Sequence, residues 1–269
     1  MIVHNFDPVL VDLGLFQIRW YSISYILGII LGWLYAVRII KQITKNKYNY
    51  QPITTSHFDD LIIYLILGIV VGGRLGYVIF YNFEYYVQNF FDIFKLWEGG
   101  MSFHGGLAGV IIAIFIFSKR TKINFFKFSD IVACVAPIGI FLGRIANFIN
   151  GELYGKISSL PWAIIFPYGG SAARHPSQIY EAILEGIILF ILINYLALKK
   201  QLLLQTGYIS GLFLVAYSIL RIFSENFREP DIHLGYFFNY FSMGIILSSI
   251  TFLAGCFIIF FIKNNEQNN

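Results

Sequence analysis

Residues 143–155 read GRIANFINGELYG and close an apolar run that begins at Ile131. Arg144 and Asn147 are three apart, so on a helix they share a face, and Asn150 continues the row. Gly151 and Gly155 then interrupt it. A guanidinium is a planar fork of donors that matches a phosphate. Asparagine adds a donor and an acceptor, and Glu152 can orient an arginine or accept from a hydroxyl. The same four side chains would also serve as a polar network joining helices. A second stretch, AYSILRIFSENFREPD at 216–231, spaces Tyr217, Arg221, Glu225 and Arg228 as one helical stripe, which Pro230 ends. Two arginines around a glutamate make either a self-neutralised ladder or an anion site whose glutamate fixes the forks.

Three further stretches carry polar groups into apolar surroundings. VGGRLGYVIFYN at 71–82 holds Arg74, as a functional group or as half of a structural ion pair. GGMSFHGGLAG at 99–109 holds His104 among glycines that allow close approach to the backbone. A histidine there can take a proton near neutral pH, or simply cap a helix. RHPSQIYE at 174–181 begins a helix at Pro176 and Ser177. It offers Arg174, His175, Gln178 and Glu181 either to a site or to a cap and its network. Arg144, Arg174, Arg221 and Arg228 map to the outer half of the membrane with His104 and Glu152, as a cavity for an anionic headgroup would require. No HExxH pattern, no glycine-rich phosphate loop and no Gly-x-Ser-x-Gly elbow appears, and the two cysteines are remote from the histidines, so no metal pattern is read.

Composition says what must hold these groups. Hydrophobic residues make up 57% of the 269 and charged residues 13%, with a mean hydropathy of +0.68. A soluble domain carries about 25% charged residues. The expectation is therefore an all-α, polytopic membrane protein forming one membrane domain over 1–269. A bilayer core needs about 20 apolar residues per helix. Seven segments qualify: 21–40, 58–82, 102–118, 129–149, 178–198, 207–224 and 240–262. Short external elements are expected at 83–101 and 150–177. Lysines and arginines gather in alternate links, at Arg38, Lys41, Lys45 and Lys47, then Lys119, Arg120, Lys122 and Lys127, then Lys199, Lys200 and Lys263. Positive charge stays inside, which puts the N-terminus outside and the C-terminus in the cytoplasm. The N-terminal residues lack the basic start of a signal peptide, and their first apolar run reads as retained.

Smaller features complete the reading. Residues 83–101 space Tyr86, Phe90, Phe94 and Trp97 along one face of a helix lying at the membrane surface, or as a plain aromatic belt. Glycines recur at spacing four in the pairs 28/32, 68/72, 105/109, 139/143 and 207/211, which favours close helix packing. Cys134 and Cys256 both sit in apolar runs and are expected as buried free thiols.

GRIANFINGELYG resembles the signature of bacterial prolipoprotein diacylglyceryl transferases. The other four motifs resemble that family's in the same order, over nearly the whole chain. Arg19 stands before Trp20 and Tyr21 where some members have histidine, and the link from Gly155 to His175 is short for the family. The resemblance implies a seven-helix enzyme of the bacterial inner membrane, with its active site toward the periplasm. It implies transfer of the diacylglyceryl group of phosphatidylglycerol to the lipobox cysteine thiol of a prolipoprotein, leaving a thioether and glycerol 1-phosphate. It also implies no cofactor and no nucleic-acid partner. His104, Arg144 and Arg221 are the catalytic candidates. Tyr21, Arg144, Asn147, Glu152 and Gly155 are the lipid-binding candidates. Arg74, Asn150, His175, Tyr217, Glu225 and Arg228 support them. The rival classes are a transporter or flippase for an anionic lipid or solute, and a scaffolding protein. Against the first, the two halves show no repeat of the kind many transporters have. A phosphatase reporter fused after the last helix is expected to stay inactive in cells, and activity there would overturn the orientation.

Overall fold

Among the described residues of the computed structural model, seven helices are long and apolar enough to cross a membrane, making this an all-α, multi-pass membrane protein. They are α1 (Trp20–Lys45), α2 (Thr55–Tyr81), α3 (Phe103–Thr121), α4 (Phe125–Ile149), α5 (Ser177–Lys199), α6 (Tyr208–Glu225) and α7 (Met243–Gln267). The structure describes residues 2–14, 17–45, 53–230, 236–237 and 241–267. Every expected segment has its helix, although α1 runs on to Lys45. Lys47, Asp231 and the expected start of the seventh segment at Tyr240 lie outside the described residues. The chain divides into two units, Met1–Ala36 with Asp130–Asn269, and Val37–Ser129.

In the unit Val37–Ser129, α2 and α3 pack through glycines. A Cβ at Gly72 or Gly105 would fall on the other helix's backbone, and Gly68 and Gly109 stand in the same relation one turn on. Without side chains between them the backbones can approach closely, which is how helices associate where no hydrophobic effect drives them. Ser102 starts α3 by accepting from the Gly105 amide at 3.2 Å, while its own amide donates to the Gly73 carbonyl at 2.8 Å.

The stretch between these helices is not one helix, as its aromatic spacing suggests. A short helix covers Phe83–Gln88, followed by 3₁₀ turns at Phe90–Phe94 and Leu96–Glu98. Tyr86 is buried, whereas Phe90, Phe94 and Trp97 are exposed, so the four do not share a face. The cause is Arg74. Its Nε donates to Ile93 O at 2.8 Å, and its Nη2 to Asp92 O at 2.6 Å and Lys95 O at 3.2 Å. Its Nη1 donates to the carbonyls of Gly99 and Gly100. The guanidinium also lies over the Tyr86 ring, 5.2 Å from its centroid. A segment wrapped around one cation presents its carbonyls inward and cannot also satisfy them along a helix.

The other unit holds the first part of α1, then α4 to α7. Gly28 of α1 sits against Gly139 of α4, and the core is filled by Leu189, Ile193, Ile209 and Phe166. The N-terminus of α6 has no cap of its own at Gly207. Asp130 of α4 supplies one. It accepts from the Gly207 amide at 2.6 Å, the Ser210 amide at 2.8 Å and the Ser210 hydroxyl at 2.7 Å. Strand β1 (Ile2–Val3) pairs in parallel with β4 (Ile164–Ile165), which pairs antiparallel with β5 (Ala173–Arg174). The hairpin β2 (Val9–Asp12) and β3 (Gln17–Arg19) leads into α1.

Cys134 is buried as expected, but Cys256 is exposed on α7. An apolar helix is equally compatible with a protein core and with lipid, and α7 buries little of its surface. Gly105→Ala, which drives a methyl into the Gly72 backbone, is expected to cost about 1–3 kcal/mol in stability. Gly143→Ala, whose methyl meets nothing within 4 Å, is expected to leave the unfolding temperature in detergent unchanged.

Candidate functional site

Gln178, Glu181 and Glu185 lie at i, i+3 and i+7 on α5, and all three are fully buried. The two carboxylates meet arginines from two other helices and from the segment beyond one of them. Glu181 is bridged by Arg144 of α4 at 2.9 Å, by Arg221 of α6 at 2.9 Å and by Arg228 just beyond α6 at 3.3 Å. Glu185 takes Arg144 at 3.0 Å and Arg221 at 3.6 Å, and it accepts from the Ser224 hydroxyl at 3.1 Å. The second Nη of Arg221 pairs with Glu225 at 2.6 Å, and Glu225 accepts from Ser242 at 2.7 Å. Three guanidinium groups thus face three carboxylates. Burying an unpaired ion costs several kcal/mol, so each of these charges depends on the others. Glu185 lies in a π-type stretch, Ala182–Ile188, a widening of the helix often found at functional sites.

Arg144 is the most accessible of the three arginines, with 17% of its side chain exposed against 11% and 9%. One turn on, buried Asn147 donates to Glu152 Oε1 at 2.7 Å, and Asn150 donates to the same oxygen at 3.5 Å. Gln178 holds the Glu152 carbonyl at 2.6 Å. So Arg144, Asn147, Asn150 and Glu152 do form one row, and α5 supports both ends of it. Gly155 donates to the His175 carbonyl at 2.9 Å and bridges to Arg228, tying this turn to the end of the α6 stripe. Tyr217 shares the unit's α6 stripe, its ring stacked on Phe213. Tyr21 begins α1, half-buried, with its ring against Tyr25.

Other expected residues have structural surroundings. Arg174 pairs with Glu229 at 3.1 Å, donates to the Gly155 and Gly169 carbonyls and lies over Tyr154. His175 packs between Tyr180 and Phe227 and shares a hydrogen bond with the Tyr180 hydroxyl at 3.2 Å. Arg74 belongs to the other unit and holds the carbonyl ring described above. His104 is also in that unit, exposed in the first turn of α3 with its ring edge-on to Phe103.

Sequence reasoning missed Glu185 and Ser224, and it assigned Glu181 to a different cluster from the arginines it binds. A signal existed. Glu185 is one of only two acids inside the apolar run 178–198 and stands four residues after the other, Glu181, where one helix face carries both.

A family model described as prolipoprotein diacylglyceryl transferase matches residues 8–261. A Rickettsia typhi protein named phosphatidylglycerol–prolipoprotein diacylglyceryl transferase is 48% identical over 259 residues, spanning 96% of this chain and 98% of its own. Proteins of the same name from Rhizobium meliloti and Allorhizobium ampelinum are 46% and 47% identical, spanning 94% and 90% of this chain and 91% and 85% of their own.

Glu185→Gln leaves Arg144 and Arg221 short of a counter-charge and is expected to destabilise the protein by about 3–5 kcal/mol, read as a lowered unfolding temperature. A second test concerns pH. Burial, and then the charge of Lys156, hold His175 below its ordinary value of 6.5. The unfolded chain therefore binds this proton first as pH falls. The contribution is full above about pH 6.5 and is lost as pH drops through the lowered folded value. His175→Phe is expected to remove that part of the stability slope.

Proposed function

This chain belongs to the prolipoprotein diacylglyceryl transferase family, and on that premise we propose how its residues divide the reaction. The protein is a transferase that moves the diacylglyceryl group of phosphatidylglycerol to a prolipoprotein. The acceptor is the lipobox cysteine thiol, and the reaction takes place on the periplasmic side of the inner membrane. The thiolate sulfur attacks the glyceryl carbon that bears the phosphate ester. The new S–C bond forms as the C–O bond breaks, and its electron pair leaves with glycerol 1-phosphate. The thiol proton passes to a base.

The observation that carries this reading is the buried cluster around Glu181. As the C–O bond breaks, the phosphate goes from one negative charge to two. Donors already aimed by neighbouring carboxylates stabilise that added charge without reorganising at the moment of reaction. Glu181 and Glu185 each occupy one Nη of Arg144, and the remaining N–H groups of its fork are left for an incoming phosphate. Arg221 reinforces the same field from α6. Asn147 and Glu152, with Gly155 and Tyr21, hold the glycerol headgroup, whose hydroxyls the carboxylate accepts. Asn150, Tyr217, Glu225 and Arg228 keep these groups in place.

His104 is assigned as the base. An unperturbed thiol, with a pKa of about 8.5, is mostly protonated at neutral pH, and an imidazole is the side chain suited to take its proton there. With purified protein, phosphatidylglycerol and a lipobox peptide, His104→Gln is expected to lower kcat by about 100-fold or more. Near-normal turnover would overturn the base assignment. Arg144→Lys is expected to raise KM for the lipid and lower kcat together, because an ammonium cannot hold two carboxylates and a phosphate in one plane. No thioether product from folded wild-type protein would sink the transferase reading.

A further inference from the structure

The segment ahead of the first spanning helix has no part in the reaction as described, yet one of its residues is buried beside the lipid-binding turn. His4 is only 6% exposed. Its amide donates to the Ile165 carbonyl at 2.9 Å, extending the pairing of β1 with β4. Its Nε2 lies 2.7 Å from the carbonyl oxygen of Phe148, in the last turn of α4. A carbonyl can only accept, so Nε2 carries the proton and donates. The ring is packed by Phe6, Phe148 and Phe166 at centroid distances of 5.4, 5.4 and 5.3 Å.

The Phe148 carbonyl also accepts from the Gly151 amide at 2.9 Å. Gly151 has φ +67°, a left-handed conformation that ends a helix and that glycine adopts without strain. A Cβ there would lie 3.2 Å from His4 Cε1 and 3.3 Å from Nδ1, so the imidazole lies directly against the turn. The next residue is Glu152. Its amide returns to the Asn147 carbonyl at 3.2 Å, and its carboxylate takes the Asn147 side chain at 2.7 Å. One imidazole therefore holds both the last-turn carbonyl and the open face of the turn that aims Glu152.

We propose that His4 is a positioning residue for lipid binding, fixing the turn after α4 so that Asn147 and Glu152 meet the glycerol headgroup. It touches no reacting atom. The proposal rests on the reading of Asn147 and Glu152 as headgroup-binding groups. It gives the N-terminal strand a role in the site that is separate from anchoring the first helix.

The test uses full-length protein in nanodiscs containing phosphatidylglycerol, with a lipobox peptide as acceptor. His4→Phe keeps the ring packing and removes the donor, while His4→Gln keeps a donor. His4→Phe is expected to raise KM for phosphatidylglycerol about tenfold with kcat within about threefold. His4→Gln is expected to recover most of the loss. In the double variant with Glu152→Gln, the effects are expected to be less than multiplicative, because both act through one turn. Unchanged KM in the His4 variants, with a raised KM in Glu152→Gln, overturns the proposal alone. Unchanged KM in Glu152→Gln overturns the headgroup reading and the proposal with it. A fall in kcat that follows lost thermal stability, without the KM effect, also overturns it by making His4 merely structural.

Discussion

One carboxylate governs the arrangement of this site. Glu181 is fully buried and is touched by three arginines, from α4, from α6 and from the segment just beyond α6. Away from water each of those ions would cost several kcal/mol alone. Together with Glu185 and Glu225 they reach a balance of three against three. That requirement fixes how far α4, α5 and α6 can slide or rotate past one another, since a shift of one turn would strand a charge. The same interactions that make burial tolerable keep the guanidinium forks aimed. Stability and preorganisation are here one set of contacts.

Much of this was legible before the structure. The seven apolar segments, the row from Arg144 to Glu152 and the stripe from Tyr217 to Glu225 are each local patterns, and local periodicity reports the face of a helix directly. Arg228, expected on the same helical stripe, instead lies past the end of α6 at Glu225 and bridges to Gly155. Which helix a face meets is not local. Glu181 was visible but was grouped with Arg174 and His175, its neighbours along the chain, whereas its partners lie about 40 residues away in either direction. Glu185 was passed over because it stands alone among apolar residues. Cys256 was misplaced for a related reason, since the sequence of an apolar helix does not distinguish lipid from protein.

Arg74 shows how one arginine can organise a stretch of backbone. Its donors go to backbone carbonyls of the stretch from Asp92 to Gly100. In poor solvent an irregular segment must find partners for its carbonyls, and a single guanidinium supplies several at once. Regular aromatic spacing in that stretch implied a helix, but the demands of the carbonyls prevailed. His104 follows only a few residues later, so the geometry of its helix start is inherited from this arrangement.

The cap that Asp130 places on α6 bears on how the protein is made. The carboxylate and the amides it satisfies are 77 and 80 residues apart in the chain. Gly207 brings no side chain of its own to the first turn of α6, and buried amides left without a partner are penalised. The start of α6 is therefore complete only once α4 lies against it, finished by a tertiary contact and not by its own sequence. In chain order, the helix that carries Arg144 and this carboxylate is made before the helix that carries Arg221 and needs it.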